Sequence, residues 1–223
     1  MSPSQPVIVV VGAQTHLGGR VAGCLAARGA AVVAVSGVEA GPGPLVTAIV
    51  EGAAGRRVAA VVHAEVDEAL CAPRPLVETT AEDWRERCAR PVASALWTAN
   101  AAYTVLTGEG RGGTVGFVCP SVGLTGATGH VALASAAESV RLLAKSAARR
   151  WGRHRITVNA FAPPLAACLP GPATQTAEVN ATAFPDVDAA DEIAALVTTL
   201  AAPDAPHLTG ATLGTDGGEL MLP

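Results

Sequence analysis

The apolar positions of this chain follow two patterns that take turns along its length. Val7–Val11 is an unbroken run of five β-branched residues. A strand exposed on one face would alternate apolar and polar positions, so this run reads as a parallel strand buried on both sides. Short apolar runs return at Ala31–Val35, Val58–Val62, Gly112–Val118, Ile156–Phe161 and Ala211–Gly214. Between them lie longer, alanine-rich stretches with helical spacing. Gly18–Arg28 is stopped by Gly29, and Leu45–Ala54 follows the breaker Gly41-Pro42-Gly43-Pro44. Thr80-Ala81-Glu82-Asp83 carries a capping signal for a long helix running to about Leu106. A second long helix ends near Trp151, and a third segment covers Ala189–Ala201. Pro73–Thr80 and Pro163–Pro185 read as loops. Strands alternating with helices predict a single α/β domain over residues 1–223, a doubly wound parallel sheet covered on both faces.

Composition narrows the possible roles. With 223 residues, 50% hydrophobic and 15% charged, the chain suits one large core. A net charge of −4 gives no reason to expect nucleic acid or an anionic membrane as a partner. No stretch of about 20 residues is apolar throughout, so no membrane span is expected. The first residues, Met-Ser-Pro-Ser-Gln-Pro, lack the basic region of a signal peptide. Five scattered cysteines show no metal-ligand spacing and read as free thiols in a reducing cytoplasm.

Several motifs resemble the short-chain dehydrogenase/reductase family. Val11-Gly12-Ala13-Gln14-Thr15-His16-Leu17-Gly18 is similar to its glycine-rich turn, T-G-x-x-x-G-x-G. Arg155–Pro163 (RITVNAFAP) resembles its r-I-x-V-N-x-i-x-P-G, and Leu208–Gly218 (LTGATLGTDGG) its i-T-G-x-x-l-x-v-D-G-G. Val140–Ala148, with Lys145-Ser146, looks like the helix after the family's Tyr-Lys pair, and Trp84 stands where its long interface helix often begins. The landmarks run in order over residues 7–221. The resemblance implies a Rossmann-like fold and Ser-Tyr-Lys catalysis assisted by an Asn, with the tyrosine moving the proton.

This chain departs from that pattern at each catalytic position. Registering on Lys145-Ser146 puts Leu133 at the family's Tyr and Ala137 at its Lys, and a one-residue slip offers only Ala134 and Glu138. The sole tyrosine, Tyr103, lies on the other long helix. Pro91 stands at the Asn position, and either Ser121 or Pro120 at the Ser position. The catalytic set implied by the resemblance is therefore empty. In the cofactor turn Gly12 and Gly18 remain as binding positions, but His16 replaces a glycine. The family's N-N-A-G reads Val62-His63-Ala64-Glu65, placing a carboxylate where pyrophosphate would be repelled. Ser36-Gly37 supplies neither the acid nor the arginine that would recognise a ribose. Only residues 36–57 separate the second and third runs, whereas an added helix and strand need about 30 residues. One family strand, between the second and fourth, is expected to be missing.

His16, His63, Glu65 and Ser121, with His130, are expected near the carboxyl edge of the sheet, and one alternative is relocated hydrolytic chemistry there. Another is a ligand sensor without turnover. The leading expectation is a degenerate subunit that binds no cofactor alone and supports an intact short-chain reductase carrying NADP, in a heterotetramer or with itself. Trp84–Leu106, Leu133–Trp151 and Ala189–Leu213 match the family's intersubunit helices and strand, and alanine-rich faces allow close packing. The chain also resembles the smaller member of the reductase pairs of aminocoumarin antibiotic pathways such as novobiocin's. That resemblance implies oxidation of a carrier-bound β-hydroxyacyl group to the β-keto form.

Overall fold

The computed structural model describes residues 5–36, 41–108, 110–171, 183–184, 186–205 and 207–221. Gly37 and much of the Pro163–Pro185 segment lie outside them. Six parallel strands form one sheet: β1 (Val7–Val11), β2 (Ala31–Val35), β3 (Val58–His63), β4 (Gly113–Val118), β5 (Ile156–Ala162) and β6 (Thr212–Gly214). Their order is β2-β1-β3-β4-β5-β6. β2 is an edge strand, and among the described residues no strand lies between it and β3 along the chain. The sheet is therefore the shortened one that the spacing predicts.

Every residue of β1 is buried because helices cover both faces. Val7, Val9 and Val11 point into one core, with α2 (Pro42–Ala53), α4 (Arg90–Gly108) and α6 (Val131–Trp151). Ile8 and Val10 point into the other, with α1 (His16–Ala27) and α7 (Ala189–Leu200). Alternation across the sheet of an all-apolar run is what buries the strand twice.

Three departures from the sequence reading exceed a shift of one residue and have a local cause. The first helix starts at His16, two residues early, because Thr15 caps it through its hydroxyl, which accepts from the Gly18 amide. The second starts at Pro42, since prolines in a first turn cost no hydrogen bond. The long helix is not continuous. α3 (Ala81–Trp84) carries the expected cap, a reciprocal capping box between Thr80 and Asp83. It then passes into a π turn, Arg85–Ala89, before α4. Pro91 lacks an amide, and its ring would meet the Arg87 carbonyl in a regular helix; the wider turn just before it relieves that conflict.

The order in which strands are added switches sides at β1, whose neighbours are β2 and β3. The crevice outside the carboxyl ends of β1 and β3 is the place where such sheets bind ligands.

Candidate functional site

Two loops face each other across that crevice. The first is the turn Gly12–Gly18. Gly12 takes a positive φ of 87°, and a Cβ at Gly18 would come within 2.1 Å of the Gly12 carbonyl oxygen. Both glycines are thus fixed by closure of the turn itself. Thr15 locks it, its hydroxyl donating to the carbonyls of Gly12 (2.9 Å) and Ala64 (3.1 Å).

The second loop follows β3 and presses against the first. A Cβ at Gly12 would lie 2.6 Å from the Glu65 backbone. Three residues further on, the Glu68 carboxylate accepts a hydrogen bond from the His16 amide, the first amide of α1. Asp67 caps the short turn that carries Glu68, accepting from the Ala69 amide at 3.0 Å. Arg87 ties down the loop's far side by donating to the carbonyls of Leu70 (3.2 Å) and Ala72 (2.6 Å). Glu65, the carboxylate expected to repel a phosphate, instead accepts from the Ser94 hydroxyl on α4. Glu68 reaches the turn in its place, across 52 residues of sequence, and no local pattern marked it.

The polar residues expected at the sheet edge are all there but do not converge. His63 is buried, its Nδ1 lying 3.0 Å from the Thr98 hydroxyl and its ring against Phe117. Burial pushes its pKa down to about 4, so the imidazole is neutral. His130 stands at the N-cap position of α6 without a side-chain capping bond, its Nδ1 lying 3.0 Å from the Thr128 carbonyl. Ser121 is buried, and its amide donates to the Pro163 carbonyl. Among the described residues no hydrogen bond joins any two of His16, His63, Glu65 and Ser121.

The positions at which the resemblance implies proton chemistry do come together. Pro91, Pro120, Leu133 and Ala137 line one cavity of about 40 Å³, together with His63, Val118 and the charged Glu65, Asp67 and Arg87. Pro120, rather than Ser121, is the residue facing it. Such a space holds a few water molecules and is far below the size of a cofactor pocket. Glu138, offered by the one-residue slip, pairs with Arg141. Tyr103 is 12 positions beyond Pro91, about 18 Å along the helix, and contacts His154 at 3.1 Å. A wider cleft of about 420 Å³ opens beside this cavity, lined by Glu65, Asp67, Glu86, Arg90, Ser94 and Trp97.

A nicotinamide dinucleotide, which the family implies, does not fit the turn as it is built. The His16 amide is held by a carboxylate and the Gly18 amide by the Thr15 hydroxyl. These are donors that a pyrophosphate at a helix N-terminus would require. On its Cβ side Gly12 is packed against the Glu65 backbone.

A family model described as enoyl-(acyl carrier protein) reductase matches residues 46–219. An uncharacterized oxidoreductase of Mycobacterium tuberculosis is 32% identical over 184 residues, covering 70% of this chain and 66% of the relative. The short-chain dehydrogenase/reductase eriH of Hericium erinaceus is 29% identical over 164 residues, covering 69% and 63%. The chain thus spans under two thirds of these curated relatives. Among solved structures, a Thermus thermophilus protein superposes with a TM-score of 0.77 at 24% identity, covering 96% of this chain and 99% of that one. Acetoin dehydrogenase from Enterobacter cloacae gives 0.71 at 20% identity, covering 98% and 96%. At these identities the structural likeness speaks for the fold alone. With over half of the chain matched by the family model, this protein is a member of the short-chain dehydrogenase/reductase family of oxidoreductases.

Proposed function

We propose that this chain is a non-catalytic member of its family, which binds no nicotinamide cofactor alone and supports an intact, NADP-carrying short-chain reductase in a hetero-oligomer. The observation that carries the reading is the cavity lined by Pro91, Pro120, Leu133 and Ala137. Those four side chains cannot give or take a proton. Of the other groups on the cavity, Glu65 accepts from Ser94, Asp67 caps the turn after it and Arg87 donates to the Leu70 and Ala72 carbonyls. The one imidazole is neutral and hydrogen-bonded to Thr98. Gly12 and Gly18 keep the shape of a dinucleotide turn and serve its closure instead. Further support comes from the outer faces of the long helices, where Trp84, Leu96 and Leu142 are exposed. Apolar side chains of this size on adjoining helices suit burial against a partner.

The substrate class of the complex is a carrier-bound acyl group, oxidised from β-hydroxy to β-keto in an antibiotic pathway. The name of the matching family model, a reductase of acyl groups on a carrier protein, favours that class. Co-expression with an intact reductase of the same family from the same organism tests the reading. Co-purification and a rise in the reductase's turnover are expected. A reductase that is fully active alone and never co-purifies would sink the proposal.

A second reading, a ligand sensor without turnover, draws on the 420 Å³ cleft and its Trp97. Quenching of Trp fluorescence by a cell metabolite extract, lost in Trp97→Leu, is its expected signature. An unchanged spectrum removes it.

A further inference from the structure

In a dinucleotide-binding fold, the amides at the start of the first helix point at a phosphate, and the helix dipole favours the negative charge. Here the same place receives a negative charge from the chain itself. Glu68 lies half-buried on the loop after β3, and its carboxylate meets the His16 amide. The carboxylate is delivered by a loop anchored on both sides, by the Asp67 cap before it and by Arg87 beyond it. Cys71 adds a thiol contact back to the Asp67 carbonyl at 3.3 Å. Thr15 holds the Gly18 amide, and the Glu65 backbone packs against the Cβ side of Gly12.

We propose that Glu68 is a built-in anion that stands in for the nucleotide phosphate and holds the dinucleotide turn shut. The turn is thereby closed by the chain's own groups. A phosphate could reach the His16 amide only by displacing the Glu68 carboxylate, while the Arg87 and Thr15 contacts keep the loop in place around the turn. The inference concerns this turn alone and does not depend on a partner subunit, so its test reads separately from co-purification.

The test uses inorganic pyrophosphate, titrated by calorimetry into the full chain and into Glu68→Ala and Glu68→Gln. Wild type is expected to show no saturable heat at millimolar pyrophosphate. Glu68→Ala, which frees the amide and removes the charge, is expected to gain saturable binding. Glu68→Gln loses the charge but keeps an acceptor, so its gain is smaller. Amide exchange at His16 provides the second readout, about tenfold faster in Glu68→Ala than in wild type as the capping contact is lost. Should Glu68→Ala fail to fold, Glu68→Gln is read by the same two measurements. The proposal is overturned if the foldable variants bind pyrophosphate no better than wild type. It is equally overturned if the His16 amide exchanges at the same rate with and without the Glu68 carboxylate.

Discussion

His63 ends β3 with its imidazole inside the protein, against Phe117 and the Thr98 hydroxyl. Burial lowers its pKa from an ordinary 6.5 to about 4. Because the folded value lies below the unfolded one, the neutral ring contributes stability that is complete above pH 6.5. That contribution is lost as the pH falls toward 4. Between pH 7.5 and 5.0 the two values imply a loss of about 2 kcal/mol, at about 1.36 kcal/mol per pKa unit. Urea unfolding of wild type and His63→Gln at both pH values measures it. Glutamine retains a partner for Thr98 but does not titrate. The variant is less stable at neutral pH, having lost the ring contact, yet its stability should fall by about 2 kcal/mol less over that interval. Equal losses in the two chains, or an NMR titration placing His63 at 6 or above, would refute the reasoning.

Other consequences are local. A Cβ on Gly116 would lie 2.3 Å from the Phe161 ring, so Gly116→Ala should cost about 1–3 kcal/mol in chemical denaturation. Nothing lies within 4 Å of a Cβ on Gly23 in α1, and Gly23→Ala should stabilise by about 0.5–1 kcal/mol in the same assay. Thr80→Ala removes the capping box of α3 and should cost about 1 kcal/mol. Hydrogen bonds from Thr80 hold the Asp83 carboxyl below the usual range, so its pKa should rise in that variant, read by NMR. Leu96 and Leu142 are exposed. Replacing both by Asp should leave the melting temperature unchanged while abolishing co-purification with a partner reductase.

The sheet was legible from sequence because burial on both faces leaves a signature that short polar interruptions cannot imitate. Val7–Val11 and Val58–Val62 are apolar runs with nothing to alternate against. The missing strand was legible from chain length, since α2 is the one element among the described residues of 36–57. Helix spacing places Leu133 and Ala137 one turn apart on a single face, and both line the same cavity. Spacing could not decide between Pro120 and Ser121, because both follow a strand at a bend and only the backbone path selects which faces the cavity. The π turn before Pro91 was hidden because a proline can end a helix, kink it or be absorbed by widening it. Glu68 was the least accessible of all. Its partner is one amide of α1, 52 residues away, and a carboxylate in a loop carries no sign of which distant donor it meets.

The central claim is that this chain cannot work as a reductase by itself. Calorimetric titration of the isolated protein with NADPH and NADH tests it most directly. The account predicts no saturable binding of either up to millimolar concentration. Saturable binding at micromolar concentration would contradict it, showing that the Gly12–Gly18 turn opens to a dinucleotide despite Glu68 and that a proton donor must be sought elsewhere in the cleft.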